Sequence, residues 1–103
     1  GALRVTQEPG RVQVAAGDTV ALRCRVEAAE SGALLRMEWL RDGGPGALCA
    51  TRLDFVTALP PSPCPPDAPG VQLAWQPPQA TLSLLQVQGN HSGRYLCRVT
   101  LEI

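Results

Sequence analysis

The chain has 103 residues, 45 % hydrophobic and 17 % charged, a balance that suits one folded globule and excludes an intrinsically disordered segment. Nine basic residues offset nine acids, so no net charge directs it to nucleic acid or an anionic membrane surface. All the basic residues are arginine, which reflects either codon usage or arginine's value at interfaces.

Period-two alternation recurs along the chain, while helical periodicity is scarce. Leu3–Val5 and Val12–Val14 read as short edge strands split at Pro9-Gly10. After the turn signal Gly17-Asp18, Val20, Leu22, Cys24 and Val26 alternate with Ala21, Arg23 and Arg25, a half-buried strand. Leu35, Met37 and Trp39 alternate with Arg36 and Glu38 in another, closed by Arg41-Asp42-Gly43-Gly44-Pro45-Gly46. The stretch Leu59 to Gly70 holds six prolines. Proline cannot donate to an interior ladder, so the segment is expected to be an ordered but irregular excursion. An interdomain linker is the competing reading, but neither flank has enough residues to fold alone. Leu82, Leu84 and Val87 supply an inward set before the turn Gly89-Asn90. Tyr95, Cys97, Val99, Leu101 and Ile103 then face inward, alternating with Leu96, Arg98, Thr100 and Glu102. Short strands at this spacing predict an all-β sandwich or barrel in a single domain over residues 1–103.

Cys24, Cys49, Cys64 and Cys97 are even in number, and no two have the C-x-x-C spacing of a zinc or thioredoxin site. With His91 as the only histidine, a Cys/His metal site would need ligands scattered over the whole chain. Disulfides are the better reading and imply an oxidising compartment. The sequon Asn90-His91-Ser92 points to the same secretory route, with Asn90 as the glycan acceptor. No run approaches the ~20 apolar residues of a membrane span, and the start lacks a secretion signal. The chain therefore reads as a mature ectodomain fragment, with room for an anchor downstream.

Trp39 follows Cys24 by fifteen positions, and Tyr95-Leu96-Cys97 lies near the far end. This constellation resembles the immunoglobulin superfamily over essentially the whole chain. The long interval from Cys24 to Cys97 and the run Leu82-x-Leu84-x-x-Val87 before His91-Ser92-Gly93-Arg94-Tyr95-Leu96-Cys97 resemble its variable type. The resemblance implies an immunoglobulin-like β-sandwich whose sheets are joined by Cys24–Cys97, worth roughly 4 kcal/mol on the chain-entropy model. It implies Trp39 packed on that bridge, burying about 200 Å2, and Tyr95 fixing the corner with its hydroxyl. Family members carry aspartate at the position of His91, paired with an arginine. Gln72 is the nearest candidate here, so that ion pair is expected to be absent, with His91 a plain loop residue.

The extra pair Cys49 and Cys64, Leu73-Ala74-Trp75-Gln76-Pro77, Thr81-Leu82-Ser83-Leu84 and Asn90-His91-Ser92-Gly93 resemble, more closely, a costimulatory receptor family of T cells and natural killer cells. That resemblance implies a variable-type ectodomain on the extracellular side of the plasma membrane. It also implies an immunoglobulin-superfamily ligand on another cell, with the endogenous-retrovirus-H LTR-associating protein two as candidate. A Cys49–Cys64 bridge would pin the proline-rich excursion to strand C or C′; an intermolecular bond is the alternative. The variable type completes its front sheet with strand G, expected to be missing here because the chain is truncated or only partly ordered, or to be supplied by another chain. No residue of the F–G loop, through which relatives bind ligand, can therefore be carried over. By alternation Arg36, Glu38 and Leu40 on one strand, and Leu96, Arg98 and Thr100 on another, form the outward candidate interface. A homophilic adhesion module and a natural cytotoxicity receptor-like domain, suggested by Cys97-Arg98-Val99, are the competing binding roles. The latter leaves Cys49 and Cys64 unexplained. No cofactor is expected, and the lone histidine and paired cysteines assemble no catalytic group.

Overall fold

The computed structural model describes residues 3–28, 32–44, 46–66, 70–87 and 93–102. Nine strands occur among them: β1 (Leu3–Glu8), β2 (Arg11–Val12), β3 (Val20–Ala28), β4 (Leu34–Arg41), β5 (Ala47–Leu53), β6 (Leu59–Pro63), β7 (Val71–Gln76), β8 (Gln79–Leu84) and β9 (Gly93–Glu102). They form two antiparallel sheets, a back sheet ordered β1-β3-β8-β7-β6 and a front sheet ordered β2-β9-β4-β5. The two N-terminal strands are edge strands, as expected, and Pro9-Gly10 carries the chain from one sheet to the other. Gly17, at φ +90°, needs the freedom only glycine has without strain. It donates to the Val87 carbonyl (2.7 Å), and the Val87 amide returns to Asp18 (2.9 Å), tying that turn to the end of β8.

The core follows from alternation. Leu22, Cys24 and Val26 of β3, Leu35, Met37 and Trp39 of β4, Leu82, Leu84 and nearby Val87, and Tyr95, Cys97 and Val99 of β9 are all buried. Both disulfides form, Cys24–Cys97 with Cα atoms 6.4 Å apart and Cys49–Cys64 at 5.3 Å. Trp39 stands directly opposite Cys97 on one side and Cys49 on the other, so one inward row of the front sheet reads Cys97-Trp39-Cys49. In the back sheet the row through Cys24 continues to Ala80 and Trp75. Ala80 and Trp39 are both wholly buried. The Trp39 Nε1–H finds no acceptor; its neighbours in the row are sulfurs, which accept weakly.

Two expectations need correction. The proline-rich segment is not wholly irregular: Leu59–Pro63 forms β6, pairing with β7 at Leu59–Trp75, Ser62–Leu73 and Pro63–Gln72, with a register break between Leu59 and Ser62. The prolines are tolerated because β6 is an outer strand whose far edge faces no ladder among the described residues. Cys64 follows directly, donating its amide to Val71 (2.9 Å). Its bridge to Cys49 thus ties β6, the last strand of the back sheet, to β5, the last of the front sheet. Leu101, expected inward, is 47 % exposed although it pairs with buried Leu35. Among the described residues no strand flanks β9 beyond Arg94 on its other side, so that flank of Leu101 meets solvent. Ile103 lies outside the described residues.

Gln7 crosses between the layers. Its side-chain Oε1 accepts from the Cys97 amide (2.7 Å), and its Nε2 donates to the Tyr95 carbonyl. The amide group thereby substitutes for a strand at this point of β9.

Replacing Cys49 and Cys64 together with alanine is expected to lower the unfolding free energy by about 3 kcal/mol, measured by chemical denaturation. Gln7→Leu, which leaves the Cys97 N–H and Tyr95 C=O without this partner, is expected to cost about 1–3 kcal/mol in the same assay.

Candidate functional site

The outward face of β9, β4 and β5 gathers all six residues expected there. Register places Arg36 opposite Thr100, Glu38 opposite Arg98, and Leu40 opposite Leu96. Leu96 is 54 % exposed and Leu40 is half-buried beside it, a small apolar step on an otherwise charged face. Arg98 reaches Glu38 through Nη2 (2.9 Å) and Nε (3.2 Å), a bond from one donor fork to one carboxylate oxygen. Exposed pairs of this kind add little stability, about 0–1 kcal/mol, but they fix the direction in which each charge is presented.

Several members of the face escaped sequence reasoning. Strand β5 adds Ala50 opposite Glu38 and Arg52 opposite Arg36. Arg52 Nε also bonds Glu102 Oε2 of β9 at 3.0 Å. The signal was present, because Cys49, Thr51 and Leu53 alternate with Ala50 and Arg52. At the upper end Leu34 is 56 % exposed, opposite Glu102. At the lower end a hollow of about 540 Å3 opens beside Leu40 and Leu96, reaching Gln7, Arg94, Tyr95 and Asp42. Burial pushes the Tyr95 phenol above its ordinary value, and the Arg41 guanidinium beside it offsets part of that rise.

The segment after β5 is held more firmly than its sequence suggests. Asp54 Oδ1 accepts from the amides of Val56 (2.9 Å) and Thr57 (2.7 Å), an Asx-type turn. These two donors hold the exposed carboxyl below its ordinary value of 3.8. From beneath, the Trp75 indole donates to the Asp54 carbonyl (2.7 Å), and the Phe55 ring lies tilted at 59° to Trp75, 6.0 Å between centroids. Val56 at the tip is 85 % exposed, an apolar side chain on a fixed turn at the outer margin of the front sheet.

The sequon Asn90-His91-Ser92 lies outside the described residues, between Val87 and Gly93, and with it the expected absence of an ion pair at His91; Gln72 itself sits in β7. Among the described residues no three His, Cys, Asp or Glu side chains are placed to hold a metal ion.

Asp54→Ala removes the acceptor of the turn. Hydrogen exchange should then show the Val56 and Thr57 amides losing their protection while those of β4 and β9 keep theirs.

The chain matches the model of the immunoglobulin domain family over residues 4–100. No curated protein matches it. Two facing sheets, the bridge from β3 to β9 and Trp39 beside it accord with that match, and the chain belongs to the immunoglobulin domain family.

Proposed function

We propose that this immunoglobulin module is the extracellular binding domain of a lymphocyte costimulatory receptor, and that it engages an immunoglobulin-superfamily protein on another cell. The observation that carries this reading is the outward face of β9-β4-β5, where exposed Leu96 and half-buried Leu40 adjoin the Arg98–Glu38 pair. Apolar side chains set among arginines suit the mixed chemistry of a protein–protein interface. The sequence features quoted above resemble those of the transmembrane and immunoglobulin domain-containing protein two. The endogenous-retrovirus-H LTR-associating protein two is accordingly the candidate ligand. Two disulfides and a glycosylation sequon support placement outside the plasma membrane, carried by a single-pass anchor. With all four cysteines in bridges, none offers a thiol nucleophile, which supports binding over catalysis.

One observation favours a second reading, homophilic adhesion. Strand β6 joins the back sheet, which leaves the outer edge of β5 without a strand among the described residues. Such an edge can pair with a second copy. Sedimentation at micromolar concentration separates the two, since a strict monomer removes homophilic pairing.

Leu96→Asp and Arg98→Glu are each expected to weaken binding to the candidate ligand's ectodomain at least tenfold by surface plasmon resonance. Unchanged affinity in variants that retain both disulfides and a cooperative melt would remove this face from the site.

A further inference from the structure

The two outward faces of the sandwich both match opposite charges across their ladders, but the front face also holds a like-charge pair. On the back sheet, charges on β1 and β3 meet their opposites directly across the ladder, Arg4 against Glu27 and Glu8 against Arg23. Arg25 also bonds Glu27 at 3.1 Å. On the front sheet, Arg36 stands directly opposite Arg52, a like-charge pair across the ladder. Its other direct neighbour, Thr100, carries no charge. The acids of this face are engaged elsewhere, Glu38 by Arg98 and Glu102 by Arg52. Arg36 is exposed and forms no ion pair among the described residues.

From this mismatch we infer that Arg36, flanked by Arg52 and Arg98, is the anchor for a carboxylate on an acidic protein surface docked against the front sheet. The inference deepens the proposed function and rests on its front-sheet reading. Three arginines over two glutamates leave the face locally positive although the whole chain is neutral. A guanidinium presents two parallel N–H donors that match a carboxylate in one plane, and a protein carboxylate near Arg36 would relieve its repulsion with Arg52. Leu40 and Leu96 lie two outward positions along the same strands, beyond the Glu38–Arg98 pair, and supply an apolar contact. The partner thus presents an acidic residue and an apolar one about four strand residues, or ~13 Å, apart, spaced to meet Arg36 and Leu96 together.

Each reading is tested by variants at Arg36 and Leu96, with Arg23→Gln on the back sheet as control. The probe is a set of recombinant immunoglobulin-superfamily ectodomains, run beside heparin and the domain itself. Arg36→Gln should weaken ectodomain binding several-fold, and Arg36→Glu at least tenfold, chiefly through slower association and a flatter salt dependence. Arg23→Gln should leave binding as it was. With the partner absent, Arg36→Gln should raise the melting temperature by roughly 1–4 °C at low salt, because a like-charge pair is removed. A structural role for Arg36 would instead lower it. If Leu96→Asp abolishes binding while both Arg36 variants bind normally, the carboxylate anchor is overturned and the front-sheet reading stands. If neither position matters, or no ectodomain binds, both readings fall. Arg36-dependent binding to heparin alone would replace the protein partner with a sulfated polysaccharide, and Arg36-dependent self-association would replace it with a second copy.

Discussion

The molecule depends on one inward row in which Trp39 lies between two half-cystines. Cys97 on one flank is bonded through the middle of the sandwich to Cys24, and Cys49 on the other is bonded to Cys64 at its margin. The two bridges differ in what they restrain. The first closes a long loop, 73 positions, and sets the separation of the sheets at their centre. The second closes only 15 positions but joins the outermost strands β5 and β6, which pair with no common neighbour. Without it, only core packing and the Asp54 turn would hold those two edges together. The indole between the two half-cystines is wholly buried.

Because the inward rows are fixed this firmly, the outward positions of the same strands are released from structural duty. In β4 the inward residues Leu35, Met37 and Trp39 are wholly buried, while Arg36, Glu38 and Leu40 between them touch solvent. A strand of period two thereby separates two tasks at single-residue spacing. The turn at Asp54 extends the same logic beyond the strand end. Trp75 and the two backbone amides hold the loop from below, and Val56 is presented above it at no cost to the core.

Much of this was legible in the sequence, for a physical reason. Strands β3, β4 and β9 alternate large apolar residues with charged ones, so each side chain states which way it faces, and the six candidate interface residues fall on one face as expected. Strand β5 was hidden because its outward set includes Ala50 and its inward set Thr51, which blunt the contrast that alternation needs. Strand β6 was hidden by its prolines, which mark an interior strand as impossible but leave an outer one open. Val71, Leu73 and Trp75 of β7 do alternate, yet their role under the Asp54 loop is a tertiary matter that no spacing reveals. Leu101 erred in the other direction. Its phase in β9 is right, but burial also requires a neighbour on both flanks. The contribution of Gln7 was invisible for a similar reason, since its partners on β9 lie about 90 positions away.

The charge mismatch on the front sheet gains meaning from the magnitudes involved. A like-charge pair directly across a ladder costs less than about 1 kcal/mol. The two bridges contribute several times that on the chain-entropy model. A domain so cross-linked tolerates Arg36 against Arg52 without approaching its unfolding threshold, whereas an uncrosslinked sandwich of this size would have far less to spare. Elsewhere the same chain sets opposite charges across its ladders, Arg4 against Glu27, Glu8 against Arg23 and Glu38 against Arg98. Covalent stabilisation of the interior and electrostatic frustration of one exterior face are thus coupled features. The first permits the second, a local imbalance that net charge alone would never disclose.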